Sequence, residues 1–282
     1  MELFEEIVMA VNEELGISDV VTNTTNEIIS LISKDGKKKP LFKNKKNGEI
    51  KGFNLFGKKI LIKYALYFVD SIDDIKKLKI AWSGSYNDTT RTLETTVVYC
   101  KKENKYIDYV GSTQHEVEHA YQTSKTRKSL VSKNSTGKMY MKAKSLMRTN
   151  EYAKQVVGYT IYYACKFEKD AYENSVYKMI SDNWEKDPIE ILKGTTIYQN
   201  LKIISNQANM VSPGWEQTIE NICVKEFGRH FKWWQNLAKK TVSGYMRKFG
   251  KMIAKVEKDR GADRLTGPNS VITEMPRFIE EE

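Results

Sequence analysis

Two of the three histidines in this chain stand four residues apart, with a glutamate directly after the first. Ser112-Thr-Gln-His-Glu-Val-Glu-His-Ala-Tyr-Gln122 holds His115, Glu116 and His119 in the pattern H-E-x-x-H. On a helix, positions four apart share one face, one turn above the other. Two imidazoles so placed can bind one Zn²⁺, and the glutamate between them then stands beside the metal as a general base.

The flanking residues predict how the motif is held. Thr113 and Glu116 have the Thr-x-x-Glu spacing of a capping box, which places a helix start near the motif. Val117, Ala120 and Tyr121 give that helix an apolar side to bury. Upstream, Arg91-Thr-Leu-Glu-Thr-Thr-Val-Val-Tyr-Cys100 is rich in β-branched and aromatic residues and reads as a strand. Strand, short loop, metal helix is the order that peptide chemistry needs, because an edge strand can hold an extended peptide beside the metal.

The segment from Arg91 to Asn174 resembles the zincin metallopeptidases, and within them the gluzincins. The later histidine of the metzincin pattern has no counterpart, since Tyr121 to Gly137 contains none. The resemblance implies a third ligand on a later helix. In Phe167-Glu-Lys-Asp-Ala-Tyr-Glu-Asn174, Glu168 and Ala171 match the Glu-x-x-Ala arrangement of that helix, where a small residue permits close packing. Asp170 and Glu173 stand as alternatives, and all three carboxylates could instead lie on a solvated face with Lys166 and Lys169. The resemblance further implies a zinc-dependent peptidase acting on peptide or protein substrates. His115, His119 and Glu168 would hold Zn²⁺ and Glu116 would move the proton. A tyrosine (Tyr162, Tyr163 or Tyr172) or His230, the third histidine, would steady the oxyanion.

The rest of the chain is read as the scaffold for that motif. Residues 1–35 read as two amphipathic helices, one over 2–15 on Leu3, Phe4, Ile7, Val8 and Val11, the next capped at Asn23 or Thr24 and carrying Ile28, Ile29, Leu31 and Ile32. Residues 36–58 read as a basic loop or hairpin arm. Ile60 to Val69 is a strand, paired with Ile50 to Leu55 through a turn at Phe56-Gly57, and a further strand is expected over 78–83 with a turn over 84–88. A core over 59–184 therefore carries the sheet and the motif. Helices are expected over 138–147, 150–182 and 189–209, with a turn at Ser212 to Trp215 and a long basic helix over 217–258 whose aromatic stripe is core. The helical part runs over 185–260 and an extended tail over 261–282. The fold class is α+β and zincin-like: an N-terminal sheet, then the H-E-x-x-H helix, then a mainly helical C-terminal half.

At 282 residues, 40% hydrophobic and 29% charged, the chain can bury a sizeable core. No apolar run is long enough to span a membrane, and Met1-Glu-Leu-Phe-Glu-Glu is acidic where a signal peptide is basic. Cys100, Cys165 and Cys223 are widely spaced and fit buried free thiols in a reducing, cytoplasmic setting. The net charge of +10 is concentrated in two stretches, Gly36 to Lys59 and Lys225 to Arg260. Such patches suit an anionic neighbour: nucleic acid, an acidic protein partner such as an adjoining subunit of a larger assembly, or a membrane surface. A second reading accommodates them. The lysine-, asparagine- and isoleucine-rich character resembles virion tail, ring or portal-associated proteins of crAss-like bacteriophages. In that setting a zincin-like domain would be an assembly subunit located in the virion.

Overall fold

Alternation along two strands decides which side of the sheet is dry. In the computed structural model, which describes residues 19–38, 44–78, 80, 84–126, 135–183 and 186–259, strand β2 (Lys58–Val69) buries Ile60, Ile62, Tyr64 and Leu66. Strand β4 (Thr92–Cys100) buries Leu93, Thr95 and Val97 on the same face. Successive strand residues point to opposite faces, so these positions form one apolar surface. Helix α1 (Asp19–Gly36) covers it with Val21, Ile28 and Ile32, and helix α2 (Ser112–Thr126) with Val117 and Ala120. The other face has a smaller cluster of Val69, Val98, Cys100 and Ile107. The expected helix over 2–15 and the tail over 261–282 lie outside the described residues.

The sheet is mixed, in the order β1-β2-β4-β3, with β5 (Lys105–Asp108) also on β4. Strand β1 (Lys45–Leu55) pairs antiparallel with β2, β2 pairs parallel with β4, and β3 (Gly84–Asn87) pairs antiparallel with β4. The β1–β2 hairpin turns at Phe56-Gly57, both with positive φ (49° and 83°), the sense that matches strand twist. Much of the basic segment 36–58 is therefore strand rather than loop. The strand expected at 78–83 is not seen at Leu78 or Ile80, and its other positions lie outside the described residues. The expected turn over 84–88 is instead strand β3, and the chain reverses at 88–91, where the Asn87 side-chain oxygen accepts from the amides of Thr89 and Thr90 at 3.0 Å. Gly-Ser-Tyr-Asn carries turn residues, but pairing with β4 outweighs local preference.

The fold divides into two units, 1–129 with 174–182, and 130–173 with 183–282. The sheet, α1 and α2 make up the first. The second is helical: α3 (Ser135–Met147), α4 (Tyr152–Ala164), α5 (Lys166–Asp182, which supplies its last turns to the first unit), α6 (Pro188–Lys193), α7 (Thr196–Ala208), α8 (Pro213–Phe227) and α9 (Phe231–Asp259). Its core holds Val156, Val157 and Ile161 of α4, Leu201 of α7, and the expected aromatic stripe of α9, with Trp234, Tyr245 and Phe249 fully buried.

Three expected helices are each two. The helix over 150–182 breaks at Cys165, which is extended (φ −69°, ψ 124°). The one over 189–209 breaks at Gly194-Thr195, with the Thr195 hydroxyl capping α7. The one over 217–258 breaks at Gly228, left-handed at φ 62°, whose amide donates to Val224 O. A glycine adopts that conformation without the Cβ strain of other residues. The Ser212–Trp215 turn likewise gives way to helix, because Pro213 is its first residue. Cys100, Cys165 and Cys223 are all buried. No helix among the described residues is long and apolar enough to cross a membrane.

Glu173 illustrates how helix α5 carries buried charge. It is 2% exposed, with Lys169 Nζ at 3.7 Å and Lys248 Nζ at 3.8 Å, and Asp170 nearby. Burial pushes its carboxyl up to about 7, against the pull of the two lysines. A folded-state pKa above the unfolded value means that the folded chain holds the extra proton. Stability from this group is therefore fully present below about pH 4.5 and is lost as pH rises towards 7. Glu173→Gln is expected to raise stability at pH 8 by about 3 kcal/mol, with little effect at pH 4, in urea melts at the two pH values.

Candidate metal centre

Helix α2 is started by a carboxylate that lies before it. Asp108, the last residue of β5, is 4% exposed. Its Oδ1 accepts from the Thr113 amide and hydroxyl, both at 2.8 Å, and its Oδ2 from the Gln114 amide at 2.9 Å. The helix begins at Ser112, so Thr113 is already inside it. Its hydroxyl is shared between Asp108 and the Thr95 hydroxyl of β4, 2.6 Å away. The capping box expected from Thr113 and Glu116 is thus replaced by a cap supplied across a short 3-10 turn, Tyr109–Gly111. Asp108→Ala leaves two buried helix amides without an acceptor and is expected to cost roughly 2–3 kcal/mol of stability in chemical denaturation.

So anchored, α2 presents His115 and His119 on one face, both 9% exposed. Their Nε2 atoms lie 3.1 Å apart and their rings meet edge to face at a centroid distance of 4.6 Å. Gln122 is one turn further on, with its Oε1 3.3 Å from His119 Nδ1. A proton on Nδ1 donated to that amide oxygen leaves Nε2 as the lone-pair nitrogen, the orientation that a ligating histidine needs.

The third member is carried by α5. Beyond Glu173 this helix is fastened into the first unit. Asn174 Nδ2 donates to Glu118 Oε2 at 3.0 Å, Lys178 Nζ donates to Asn26 Oδ1 at 2.8 Å, and Gly111 fits against Ser175. Glu168 lies six residues upstream on the same unbroken helix, about 9 Å along its axis. His115, His119 and Glu168 are all buried, and each offers a ligand atom within 4.8 Å of the others. A tetrahedral metal with bonds of about 2.0–2.1 Å holds its donor atoms about 3.3–3.4 Å apart, close to the spacing of the two imidazole nitrogens. Two imidazoles and one carboxylate suit a divalent cation such as zinc, so the residues fit the metal that the sequence motif implies.

Two tyrosines hold the carboxylate. Tyr140 donates to Glu168 Oε1 at 2.6 Å, and Tyr162 also donates its hydroxyl to Glu168. Burial, then neighbouring phenols and the Glu168 charge, raise the Tyr162 pKa far above its usual value, so it stays a donor. Tyr172, one turn beyond Glu168, packs edge to face against Tyr162 and Tyr163, and desolvation there likewise raises its pKa. Cys165, just before α5, is pushed up to about 12 by burial and the nearby Glu168 charge, which leaves it an unreactive thiol.

Glu116 is half-buried on α2 and faces strand β3. A Cβ placed on Gly84 would come within 3.3 Å of Glu116 Cγ. The missing side chain at Gly84 is what leaves room for the carboxylate arm beside the strand. Strand β3, rather than β4, is the sheet edge at this point, since β4 is paired on both sides. His230 is 82% exposed and its Nδ1 lies 2.7 Å from Glu220 Oε1 on the surface. Sequence reading missed Asp108, Gln122 and Tyr140. Gln122 had a signal, three residues after His119, whereas Tyr140 is 28 residues from Glu168 and has none.

No family model, curated protein or solved structure matches the chain. The donors themselves therefore define the site. Tyr140→Phe removes one hydroxyl donor from Glu168 while keeping the ring. Metal affinity, measured with zinc in competition with a chromogenic chelator, is expected to fall about 10–100-fold, the usual effect of losing a partner behind a ligand.

Proposed function

We propose that the chain is a zinc-dependent peptidase of gluzincin-like type, with His115, His119 and Glu168 as the metal ligands and Glu116 as the general base. The observation that carries the proposal is the buried convergence of two imidazoles and one carboxylate beside a helix whose Glu116 faces the free edge of the sheet. Three protein ligands are the number that catalytic zinc sites use, with a fourth position open, whereas structural sites are closed by four. Zinc bound there would supply Lewis acidity, acidifying water and polarising a carbonyl oxygen.

The chain's own residues do the rest. Among the described residues strand β3 ends the sheet, so an extended peptide can add there and run past Glu116. Glu116 takes the proton of the attacking water on a carboxylate oxygen and passes it to the departing amine nitrogen. Tyr140 and Tyr162 fix Glu168 in place by hydrogen bonding to its carboxyl group. Tyr172 would donate a hydrogen bond to a developing oxyanion.

Protein purified without chelator is expected to hold about one zinc per chain and to cleave members of a random peptide library, with fragments read by mass spectrometry. Chelation should stop cleavage and added zinc should restore it. A zinc-loaded chain that cleaves nothing would reduce the metal to a structural staple and end the peptidase reading.

A further inference from the structure

Helix α9 is basic along most of its length, with its acidic residues, Glu257 and Asp259, confined to the last turn. From Phe231 to Val256 it carries Lys232, Lys239, Lys240, Arg247, Lys248, Lys251 and Lys255 and no acidic residue. Four basic positions, Lys240, Arg247, Lys251 and Lys258, follow at spacings of seven, four and seven. At about 100° per residue these lie within about 20° of one line along the helix. All four are exposed, and the row is about 27 Å long at 1.5 Å per residue. Lys240 and Arg247 have no ion-pair partner among the described residues, so the start of the row is an uncompensated positive strip.

That start is also concave. Tyr163, Lys169, Lys240, Thr241, Ser243 and Arg247 line a cleft of about 600 Å³. Gly244 lies in its wall, where a Cβ would come within 3.4 Å of Lys169 Nζ, so the ammonium rests against bare backbone. Lys169 also faces Glu173 at 3.7 Å, while Lys240 and Arg247 are exposed. Cations gathered around this hollow match the oxygens of a phosphate group, and Arg binds them as a fork.

We propose that this cleft and the cation row beyond it bind the sugar–phosphate backbone of a nucleic acid, with one phosphate in the cleft and successive ones along α9. The row fits a polyanion better than a single small anion, because the positive strip continues well past the cleft. At about 3.4 Å per nucleotide of one strand, its length spans about eight nucleotides. No aromatic ring is exposed along the row to stack on bases, so binding is through the backbone and independent of sequence. Phosphate binding here does not depend on the metal centre.

The test uses the full chain and fluorescein-labelled 15-mer oligonucleotides, single-stranded and duplex, in anisotropy titrations from 50 to 200 mM salt. Binding is expected for unrelated sequences, with log Kd rising linearly with log salt. Lys240→Gln and Arg247→Gln should each weaken binding about fivefold at 0.1 M salt and lower the slope by about 0.7–0.9, the contribution of one released counterion. Lys232→Gln, exposed but off the row, controls for net charge and should leave both nearly unchanged. Equal losses for Lys232→Gln and Arg247→Gln would overturn the site, as would no binding at 50 mM salt. Binding to phosphatidylserine vesicles but not to either oligonucleotide would also overturn it, in favour of a membrane surface. Circular dichroism of each variant separates these results from misfolding.

Discussion

Glu116→Gln is expected to lower kcat/KM for peptide cleavage by about 10²–10⁴-fold while leaving zinc per chain unchanged, because general acid–base catalysis supplies a factor of that size. The substitution keeps the length and volume of the side chain, so the contact with Gly84 is retained. What disappears is the carboxylate that accepts the proton. Glu116 is not among the buried group of possible ligands, which consists of His115, His119 and Glu168. Metal content should therefore be untouched. Parallel elemental analysis and peptide kinetics decide the matter. Activity within about tenfold of the parent would remove Glu116 from the proton-transfer role. Loss of zinc together with activity would make it a ligand or a support of the ligands instead.

How much of this was legible in the sequence depends on how local the determining physics is. His115 and His119 converge because a helix puts residues four apart on one face, and nothing distant can alter that once the helix forms. The strands on either side of Phe56-Gly57 were legible for a similar reason, since alternation and a tight turn are properties of neighbouring residues. The helix start was not. Thr113 and Glu116 have the spacing of a cap, yet Thr113 Oγ1 is taken up by Thr95 and Asp108, and the carboxylate of Asp108 satisfies the first amides. A buried cap from the preceding strand competes with a local one, and no count of spacing shows which wins.

The same limit explains the helix breaks. Gly228 marks its break openly, whereas Cys165 has neither the missing Cβ of glycine nor the missing amide proton of proline. Its extended backbone ends α4 and starts α5, so Glu168 falls in the first turn of a helix, where the macrodipole favours a negative charge. Strand β3 was hidden differently. Its residues favour turns in isolation, and only pairing with β4 makes them an edge beside Glu116. Thus the chemical motif could be read from spacing, while the edge, the cap and the tyrosine donors required tertiary structure.

Replacing Glu168 should reduce zinc from about one per chain to a small fraction, whereas the same change at Asp170 or Glu173 should not. Helix geometry separates the three. Relative to Glu168, Asp170 is rotated by about 200° and Glu173 by about 140° around α5, so neither shares its face. Glu173 is instead held between Lys169 and Lys248. Glu168→Ala alone is an ambiguous variant, because Tyr140 and Tyr162 would lose a buried acceptor, at roughly 1–3 kcal/mol for each stranded group. Glu168→Gln keeps an acceptor oxygen and the side-chain volume but removes the negative charge that binds a divalent ion. The expected pattern is a folded Glu168→Gln chain with little zinc and no cleavage, beside Asp170→Asn and Glu173→Gln chains with full zinc. Full zinc in Glu168→Gln, with loss in either of the others, would transfer the third ligand along the helix. It would also require α5 to turn by more than a third of a revolution, a rearrangement that the Asn174–Glu118 and Lys178–Asn26 hydrogen bonds oppose.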